Sequence, residues 1–353
     1  MDPAGGPRRR IGKQVRLVAG LALTALFLWL ALRKVDLAGV GAALRSARYA
    51  YLLPAALCTV AGYAVRTLRW RTILAPAKPI AFRRLFPVLI IGFATNNLLP
   101  ARIGEFARAY VLGSREGVSR STALATVVVE RVCDGLTLIA MMTLTLLLFP
   151  LPVDDPRLHA VELGATAIFG LATVALIGLL LFPGPALAVA RALERPLPDA
   201  LATRIERLLH SFIQGLTALR RRRALLEITG LSLLIWLLEG TVYGLVLRAF
   251  PFALTPSEWL AAAVFLLVFV NLGIMLPAAP GYIGTYQFFA TLALGAFRVA
   301  PSLAFGLALV AHALQYTLVT GMGLLCLWSL GLTPGRLSHL DEENVGASER
   351  LNV

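Results

Sequence analysis

The sequence predicts an all-α integral membrane protein with about six full spans and two broken, re-entrant helical elements. Hydrophobic residues make up 58% of the 353 residues and charged residues only 15%, whereas soluble domains carry about a quarter charged residues. Long apolar runs recur along the chain, and a spanning helix needs about 20 such residues. The cations lie between these runs, so the net charge of +14 indicates anionic lipid head groups as partners, and not nucleic acid.

The apolar runs predict a single transmembrane domain at 15–332, between a basic cytoplasmic tail at 1–14 and a polar tail at 333–353. The first run resembles a signal peptide, but no small-residue cleavage site follows it, and we interpret it as an uncleaved span. The predicted full spans are 15–32, 49–65, 122–149, 161–182, 224–249 and 302–330.

Two further apolar runs, 85–99 and 259–276, lead directly into helix-breaking residues. A broken backbone at membrane depth must be buried in protein or line a wet cavity, because lipid offers no hydrogen bonds. We therefore predict that both runs are re-entrant or half-helix elements. The residues that break the two backbones are Pro100, Gly104, Pro277, Pro280, Gly281 and Gly284.

The distribution of basic residues predicts the orientation. Five Lys/Arg lie in 1–16, six in 66–84 and eight in 183–223. Because basic loops favour the cytoplasmic side, these segments and the N-terminus are predicted to be cytoplasmic. The predicted location of the protein is the bacterial cytoplasmic membrane. On this topology the run at 85–99 turns back to the cytoplasmic side. The four cations in 33–49 fit this orientation poorly, because that loop is then outside.

The two broken regions share a pattern, in which Leu-Pro is followed four residues after the proline by glycine, with Asn upstream. One region enters from the cytoplasm and the other from outside on the predicted topology. This arrangement is typical of an inverted repeat, in which transporters place a substrate site between discontinuous helices near the midplane.

The strongest candidate site follows the first break and contains Asn97, Arg102, Glu105 and Arg108. A helix that begins near Ile103 would offer free N–H groups to an anion such as phosphate. The two arginines would add charge-assisted hydrogen bonds to phosphoryl oxygens. The alternative interpretation is a cytoplasmic turn whose arginines lie at the level of the lipid head groups.

Other ionisable residues lie inside predicted spans, where each costs about 2.5–3.5 kcal/mol on insertion scales. Glu130, Arg131 and Asp134 are close enough on one helix to pair with each other. They either neutralise themselves for insertion or hold the site arginines in place. Glu239 is a lone carboxylate near the middle of its span, and both functional and structural roles are open.

No phosphate loop, dinucleotide fingerprint, zinc-protease histidine pair or nucleophile elbow occurs in the sequence. The three cysteines are widely spaced and show no metal-ligand pattern. The sequence therefore predicts no metal and no cofactor.

Three motifs together resemble the lysylphosphatidylglycerol synthase transmembrane-domain family, the membrane half of the bacterial multiple peptide resistance factor. They are NNLLPARIGEFAR at 96–108, VERVCD at 129–134 and PAAPGYIG at 277–284. The resemblance extends over about residues 15–330 and includes RTLRWR at 66–71. The positions that match the family pattern are Asn97, Pro100, Arg102, Gly104, Glu105, Arg108, Glu130, Arg131, Asp134, Pro280, Gly281 and Gly284.

The resemblance implies a flippase-like domain that moves phospholipid between leaflets, in the best-known members a lysine-modified phosphatidylglycerol. The chain departs from the family at Tyr282, where a second glycine is usual, and at Gln287, where a glutamate is common. The loss of that carboxylate puts recognition of an aminoacylated head group in doubt. About 20 residues follow the last span, so we do not expect this chain to synthesise aminoacyl-lipid.

Three functions follow as hypotheses. The first is a transporter of an anionic or aminoacylated lipid, with a site between the broken elements that includes Glu239 and Gln287. The second is a membrane-embedded enzyme acting on a polyprenyl-phosphate or lipid head group, with Glu105 or Asp134 as base. The third is a non-catalytic partner of a lipid-modifying enzyme. A homo-oligomer is compatible with each.

Overall fold

The computed structural model describes residues 7–99, 103–149, 221–275 and 280–331, together with isolated helical positions at 163, 167 and 171. The predicted span 161–182 lies almost wholly outside these residues, as does the tail at 333–353. Three predicted site positions, Pro100, Arg102 and Pro277, also lie outside them.

Every regular element in the described part of the chain is a helix, which confirms the predicted all-α class. The α-helices are α1 (Pro7–Leu32), α2 (Leu37–Ser46), α3 (Leu52–Leu74), α4 (Phe82–Leu98), α5 (Gly104–Glu116), α6 (Arg120–Leu148), α7 (Arg222–Ala249), α8 (Pro256–Gly273), α9 (Thr285–Gly295) and α10 (Pro301–Ser329). Short 3₁₀ turns lie at Tyr49–Tyr51 and Pro280–Tyr282.

Five of the described helical segments are long and apolar enough to cross a bilayer, and the chain is an integral multi-pass membrane protein. They are Tyr49–Leu74, Arg120–Leu148, Arg222–Ala249, Pro256–Gly273 and Pro301–Ser329. Two predictions need correction. The second span does not end at residue 65 but continues to Leu74, so the first part of the predicted loop 66–84 is helix. Residues 259–273 of the run at 259–276 belong to an unbroken helix, α8, whose 18 residues reach about 27 Å, and the break follows it.

Helices α4 and α5 form the first hairpin, which returns to the end of the molecule where it starts. Arg84 near the beginning of α4 lies 3.5 Å from the carboxylate of Glu116 at the end of α5. The two helices of the hairpin pack closely because their facing positions are Gly92 and Gly104. A Cβ on either glycine would clash with the backbone of the other helix. The predicted return of this segment is therefore present in the fold.

Helices α8 and α9 form the second hairpin, which enters from the opposite end. The two hairpins are joined to opposite ends of helix α10, which is roughly 43 Å long for its 29 residues. The carbonyl of Leu330, just past its C-terminus, accepts a hydrogen bond from Arg115 of the first hairpin at 2.6 Å. The second hairpin leads into the N-terminus of α10 at Pro301 through a five-residue connection at 296–300. Opposed hairpins agree with the predicted inverted arrangement.

The tips of the two hairpins meet inside the protein. A Cβ on Gly281, in the second tip, would lie 3.7 Å from the backbone oxygen of Asn97 and 3.1 Å from the ring of Tyr316. The side chain of Asn97 donates a hydrogen bond to Thr320 of α10 at 3.2 Å. Two described residues beside the breaks, Asn97 and Gly281, therefore lie next to each other and against α10.

Candidate functional site

A buried ionic network lies beside the hairpin tips and joins four helices. Its cations are Arg66 and Arg69 from α3, Arg108 from α5 and Arg131 from α6, and its carboxylates are Glu130 and Asp134 from α6 and Glu239 from α7. We call this set of seven residues the arginine network. Two of its cations lie well inside their helices, since Arg66 and Arg108 each precede the ends of their helices by eight residues, about 12 Å.

Asp134 is the centre of the network. Its Oδ1 lies 2.8 Å from Nη1 of Arg69 and 3.8 Å from Nη1 of Arg66. Its Oδ2 lies 3.2 Å from Nη2 of Arg131, one turn earlier on the same helix. Three guanidinium groups therefore surround one carboxylate, whose side chain is 7% exposed. The predicted pairing of Asp134 with Arg131 is present, but it is part of a larger assembly.

Glu130 connects this centre to the first hairpin. Its Oε2 accepts a hydrogen bond from Nη2 of Arg108 at 2.8 Å, and its Oε1 lies 3.9 Å from Nη2 of Arg69. Both Glu130 and Arg108 are almost fully buried, with side chains 1% and 3% exposed. A buried charge must be paired, so this contact fixes α5 against α6. The prediction that the α6 carboxylates hold a site arginine fits this geometry.

Glu239 connects the network to α7 and α10. Its Oε2 lies 3.1 Å from Nη2 of Arg66, and its Oε1 accepts a weaker hydrogen bond from Gln315 at 3.4 Å. The lone carboxylate of the sequence is therefore an ion-pair partner. Its side chain is 20% exposed, against 7% for Arg66.

Aromatic rings form the apolar wall of the network. The ring of Phe93 lies 5.9–6.0 Å from the Cζ atoms of Arg66, Arg108 and Arg131. Arg108 also lies 4.0 Å from the ring of Trp70, and Arg66 lies 4.9 Å from the ring of Trp236. Cation–π contacts of this kind are strongest where water is excluded, so the rings stabilise charges that lipid would not.

Hydrogen-bond donors exceed acceptors in the network. Each guanidinium carries five N–H donors and no acceptor. Nε of Arg69, Nε of Arg108, Nε of Arg131 and Nη2 of Arg69 are buried and find no hydrogen-bond partner among the described residues, whereas one acceptor of the network, Oδ2 of Asp134, is in that position. Arg131 is the most accessible of the four cations, with 24% of its side chain exposed. The arrangement can therefore bind an acceptor-rich anion, with Arg131 as its point of contact.

Glu105 lies on the same hairpin as Arg108, in the first turn of α5, and is half-buried. It is close enough to Arg108 and Arg131 to interact with both electrostatically. The start of α5 agrees with the predicted helix start near Ile103. The amide of Gly104 donates to Oδ1 of Asn96 at 2.7 Å, so one of the amides expected to face an anion is already bound.

The second hairpin holds its own polar contacts. Gln287 accepts a hydrogen bond from the amide of Gly284 at 2.7 Å, and its Nε2 lies 3.0 Å from Nδ1 of His312 on α10. Gly281 and Gly284 have φ of 73° and 84°, a conformation that glycine adopts readily. Pro280 begins the 3₁₀ turn that carries this tip. The structure places Gln287 in the tip of the hairpin, 3% exposed, and no contact joins it to the described arginine network.

The family described as the lysylphosphatidylglycerol synthase TM region matches residues 17–323 of this chain. The chain belongs to that family. The match contains every described helix of the arginine network and both hairpins.

Curated relatives of this family member include two named for different properties. Glycosyltransferase AglD of Haloferax volcanii is 28% identical, over 92% of this chain and 56% of the relative. A UPF0104 membrane protein of Methanothermobacter thermautotrophicus is 29% identical, over 80% of this chain and 86% of the relative. The chain thus spans little more than half of the Haloferax protein. Both relatives are archaeal, so the bacterial origin stays a prediction.

Two residues of this family member's network, Arg66 and Arg69, were not among the predicted site residues. The predicted span ended at residue 65, so both were counted as loop cations, although both are buried inside α3. Their spacing could have predicted that the helix continues past residue 65. Arg66, Arg69 and Trp70 are three and four residues apart, which places them on one helix face.

Proposed function

We propose that this chain moves lipids with an anionic phosphate head group between the leaflets of the cytoplasmic membrane. The observation that supports this most strongly is the arginine network itself, which is buried among candidate membrane spans beside two broken hairpins that enter from opposite ends of the molecule. Broken helices of this kind occur in transporters at the substrate site. Charged groups within a membrane are expensive, and they usually mark a pathway.

In this proposal Arg131 and Arg108 bind the phosphate. Arg131 is partly accessible, and both residues have an Nε–H without a partner in the described chain. Guanidinium groups suit phosphate because they form paired, charge-assisted hydrogen bonds. Arg102, predicted for the same role, lies outside the described residues, and it remains a proposed ligand from the sequence, as do Asn97 and Glu105 from their positions near the tip.

The remaining charges hold the binding arginines in place. Glu130 orients Arg108, and Asp134 orients Arg131 while it pairs with Arg69. In this proposal the hairpin tips separate and rejoin around the site, so that it opens first to one leaflet and then to the other. The positive-φ glycines of the second tip, Gly281 and Gly284, supply the hinge.

A transport assay in proteoliposomes tests the proposal. Phosphatidylglycerol labelled with a nitrobenzoxadiazole group is placed in both leaflets, and its bleaching by external dithionite reports transfer from the inner leaflet. With the wild-type protein we expect dithionite to bleach more than half of the label, because inner-leaflet lipid is moved outwards. Arg131→Ala should strongly slow the bleaching of the inner-leaflet label. Arg83→Ala, which removes an exposed cation from the first hairpin, is the control and should transport normally. Equal rates for all three proteins, or no transfer, would contradict the proposal.

One relative favours a second candidate function. Because the Haloferax relative is named a glycosyltransferase, this chain could instead act on a polyprenyl-phosphate or lipid head group, by itself or beside a lipid-modifying enzyme. The geometry offers little for a general base, since Asp134 is surrounded by three arginines. Mass spectrometry of lipids from membranes with and without the protein separates the candidates. An altered lipid would favour the enzyme, and an unaltered set favours transport.

A further inference from the structure

We propose that His312 of α10 is a proton-binding site, and that its protonation releases the tip of the second hairpin from α10. The proton is then a second ligand of the transporter, beside the lipid. This inference rests on the proposed transport function and deepens it, because it names the event that frees the two hinge glycines.

His312 ties the hinge of the second hairpin to α10. Its Nδ1 lies 3.0 Å from Nε2 of Gln287, and the imidazole also has a hydrogen bond with the backbone of Gly281. Gln287 in turn accepts a hydrogen bond from the amide of Gly284 at 2.7 Å. The same side chain therefore holds both hinge glycines, Gly281 directly and Gly284 through Gln287.

The hydrogen bonds show that Nδ1 of His312 is an acceptor. Because Oε1 of Gln287 is bound to the amide of Gly284, the donor group Nε2 of Gln287 faces the imidazole. A proton on Nδ1 turns this acceptor into a donor, so that two donors face each other. Gln287 can turn its oxygen towards the histidine only by giving up its bond to Gly284.

No carboxylate among the described residues forms an ion pair with His312 that could hold the tip after protonation. The rings that contact the imidazole are those of Tyr286 of α9, stacked at 4.5 Å, and Tyr316 of α10, edge-on at 6.1 Å. Behind Tyr286 lies Tyr243 of α7, and the two hydroxyl oxygens are 3.3 Å apart. The carboxylate of α7, Glu239, belongs to the arginine network instead.

The backbone of the tip is strained, which favours its release. Tyr282 has φ of 56°, between Gly281 at 73° and Gly284 at 84°. A residue with a Cβ adopts this left-handed conformation at an energetic cost. Contacts such as those of His312 are needed to hold a backbone of this kind in place.

A pH profile of transport by the full chain in proteoliposomes tests the proposal. Short-chain nitrobenzoxadiazole-labelled phosphatidylglycerol is loaded into the inner leaflet, and its capture by external albumin measures the transfer. We expect transfer to be about tenfold faster at about pH 5.5 than at about pH 7.5, because an imidazole in water is protonated about tenfold over its neutral form one unit below pH 6.5. Equal wild-type rates would overturn this inference and leave the proposed function intact. Transfer at neither pH would overturn the proposed function.

Two variants assign the effect to His312. His312→Gln can still donate and accept hydrogen bonds but cannot take up a proton, so we expect a nearly flat pH profile. Gln287→Glu places a carboxylate opposite the imidazole, where it pairs with the protonated ring, and the acceleration at low pH should again be lost. A wild-type ratio of the two rates in either variant would overturn the inference.

Amide hydrogen exchange of residues 281–287 measures the release itself and needs no transport activity. We expect the wild-type tip to exchange faster than that of His312→Gln at about pH 5.5, and equally fast at about pH 7.5. Comparison of the two proteins at one pH removes the intrinsic pH dependence of exchange. Equal exchange at both pH values would overturn the inference, whatever the transport assay shows.

Discussion

The absence of a side chain at Gly92 makes room for the side chain of Arg108. A Cβ at position 92 would lie 2.5 Å from Cδ of Arg108, closer still to its Cγ, and 2.9 Å from the carbonyl of Gly104. The glycine of α4 therefore lets the arginine of α5 pass between the helices and reach Glu130. Gly92, which has no side chain, thus allows the guanidinium of Arg108 to join the first hairpin to α6.

This contact predicts the effect of Gly92→Ala. Overpacking of a tight interior typically costs about 1–3 kcal/mol, and the displaced Arg108 would lose its hydrogen bond to Glu130. We expect lower thermal stability in detergent and slower lipid transfer. Gly62→Ala is the control, because a Cβ there meets nothing within 4 Å. It should be neutral or slightly stabilising, since alanine favours helix. Two variants with equal melting temperatures would contradict the contact.

The Arg108–Glu130 pair should show a large coupling energy. Both side chains are almost fully buried, and contacting residues in such a network couple by about 0.5–3 kcal/mol. A double-mutant cycle with Arg108→Gln and Glu130→Gln, read by unfolding in mixed micelles, measures it. The comparison pair is Arg84–Glu116, whose arginine is 71% exposed and should couple by less than about 1 kcal/mol. Coupling as weak in the first pair as in the second would mean that the network is open to water.

The second hairpin tip should tolerate side chains poorly. Gly284 has φ of 84°, and a Cβ on it would lie 2.8 Å from the carbonyl of Thr24 in α1. Gly284→Ala combines this clash with a backbone strain of roughly 1–2 kcal/mol, and we expect reduced stability and transport. Gly295→Ala, at the other end of α9, meets nothing within 4 Å and serves as the control. Normal transport by Gly284→Ala would show that the second hairpin tip has no role in transport.

The sequence predicted the fold class, the two opposed broken elements and the residues of α6 in the network. These features can be predicted because long apolar runs and helix-breaking residues are patterns of residues that are close together in the sequence. The end of α3 could not be read in this way. Arg66 and Arg69 resemble loop cations, and only tertiary contacts with Asp134 and Glu130 show why they are tolerated inside a helix.

The break after α8 was predicted, but the end of the helix before it was placed about three residues too late, for a related reason. Its apolar residues are buried on nearly all faces, so hydropathy alone could not show where the helix stops at Gly273. The partnership of Glu239 with Arg66 was also beyond the sequence. The two residues are 173 positions apart, and no local spacing indicates such a pair.

A map of the protein in nanodiscs that contain phosphatidylglycerol tests the central claim most directly. We expect head-group density between the two hairpin tips, with a phosphate within about 3 Å of a guanidinium nitrogen of Arg131 or Arg108. The same map of Arg131→Ala should lose that density. Lipid density confined to the outer belt of the protein, in a map that resolves the arginine network with its ion pairs intact, would contradict the account.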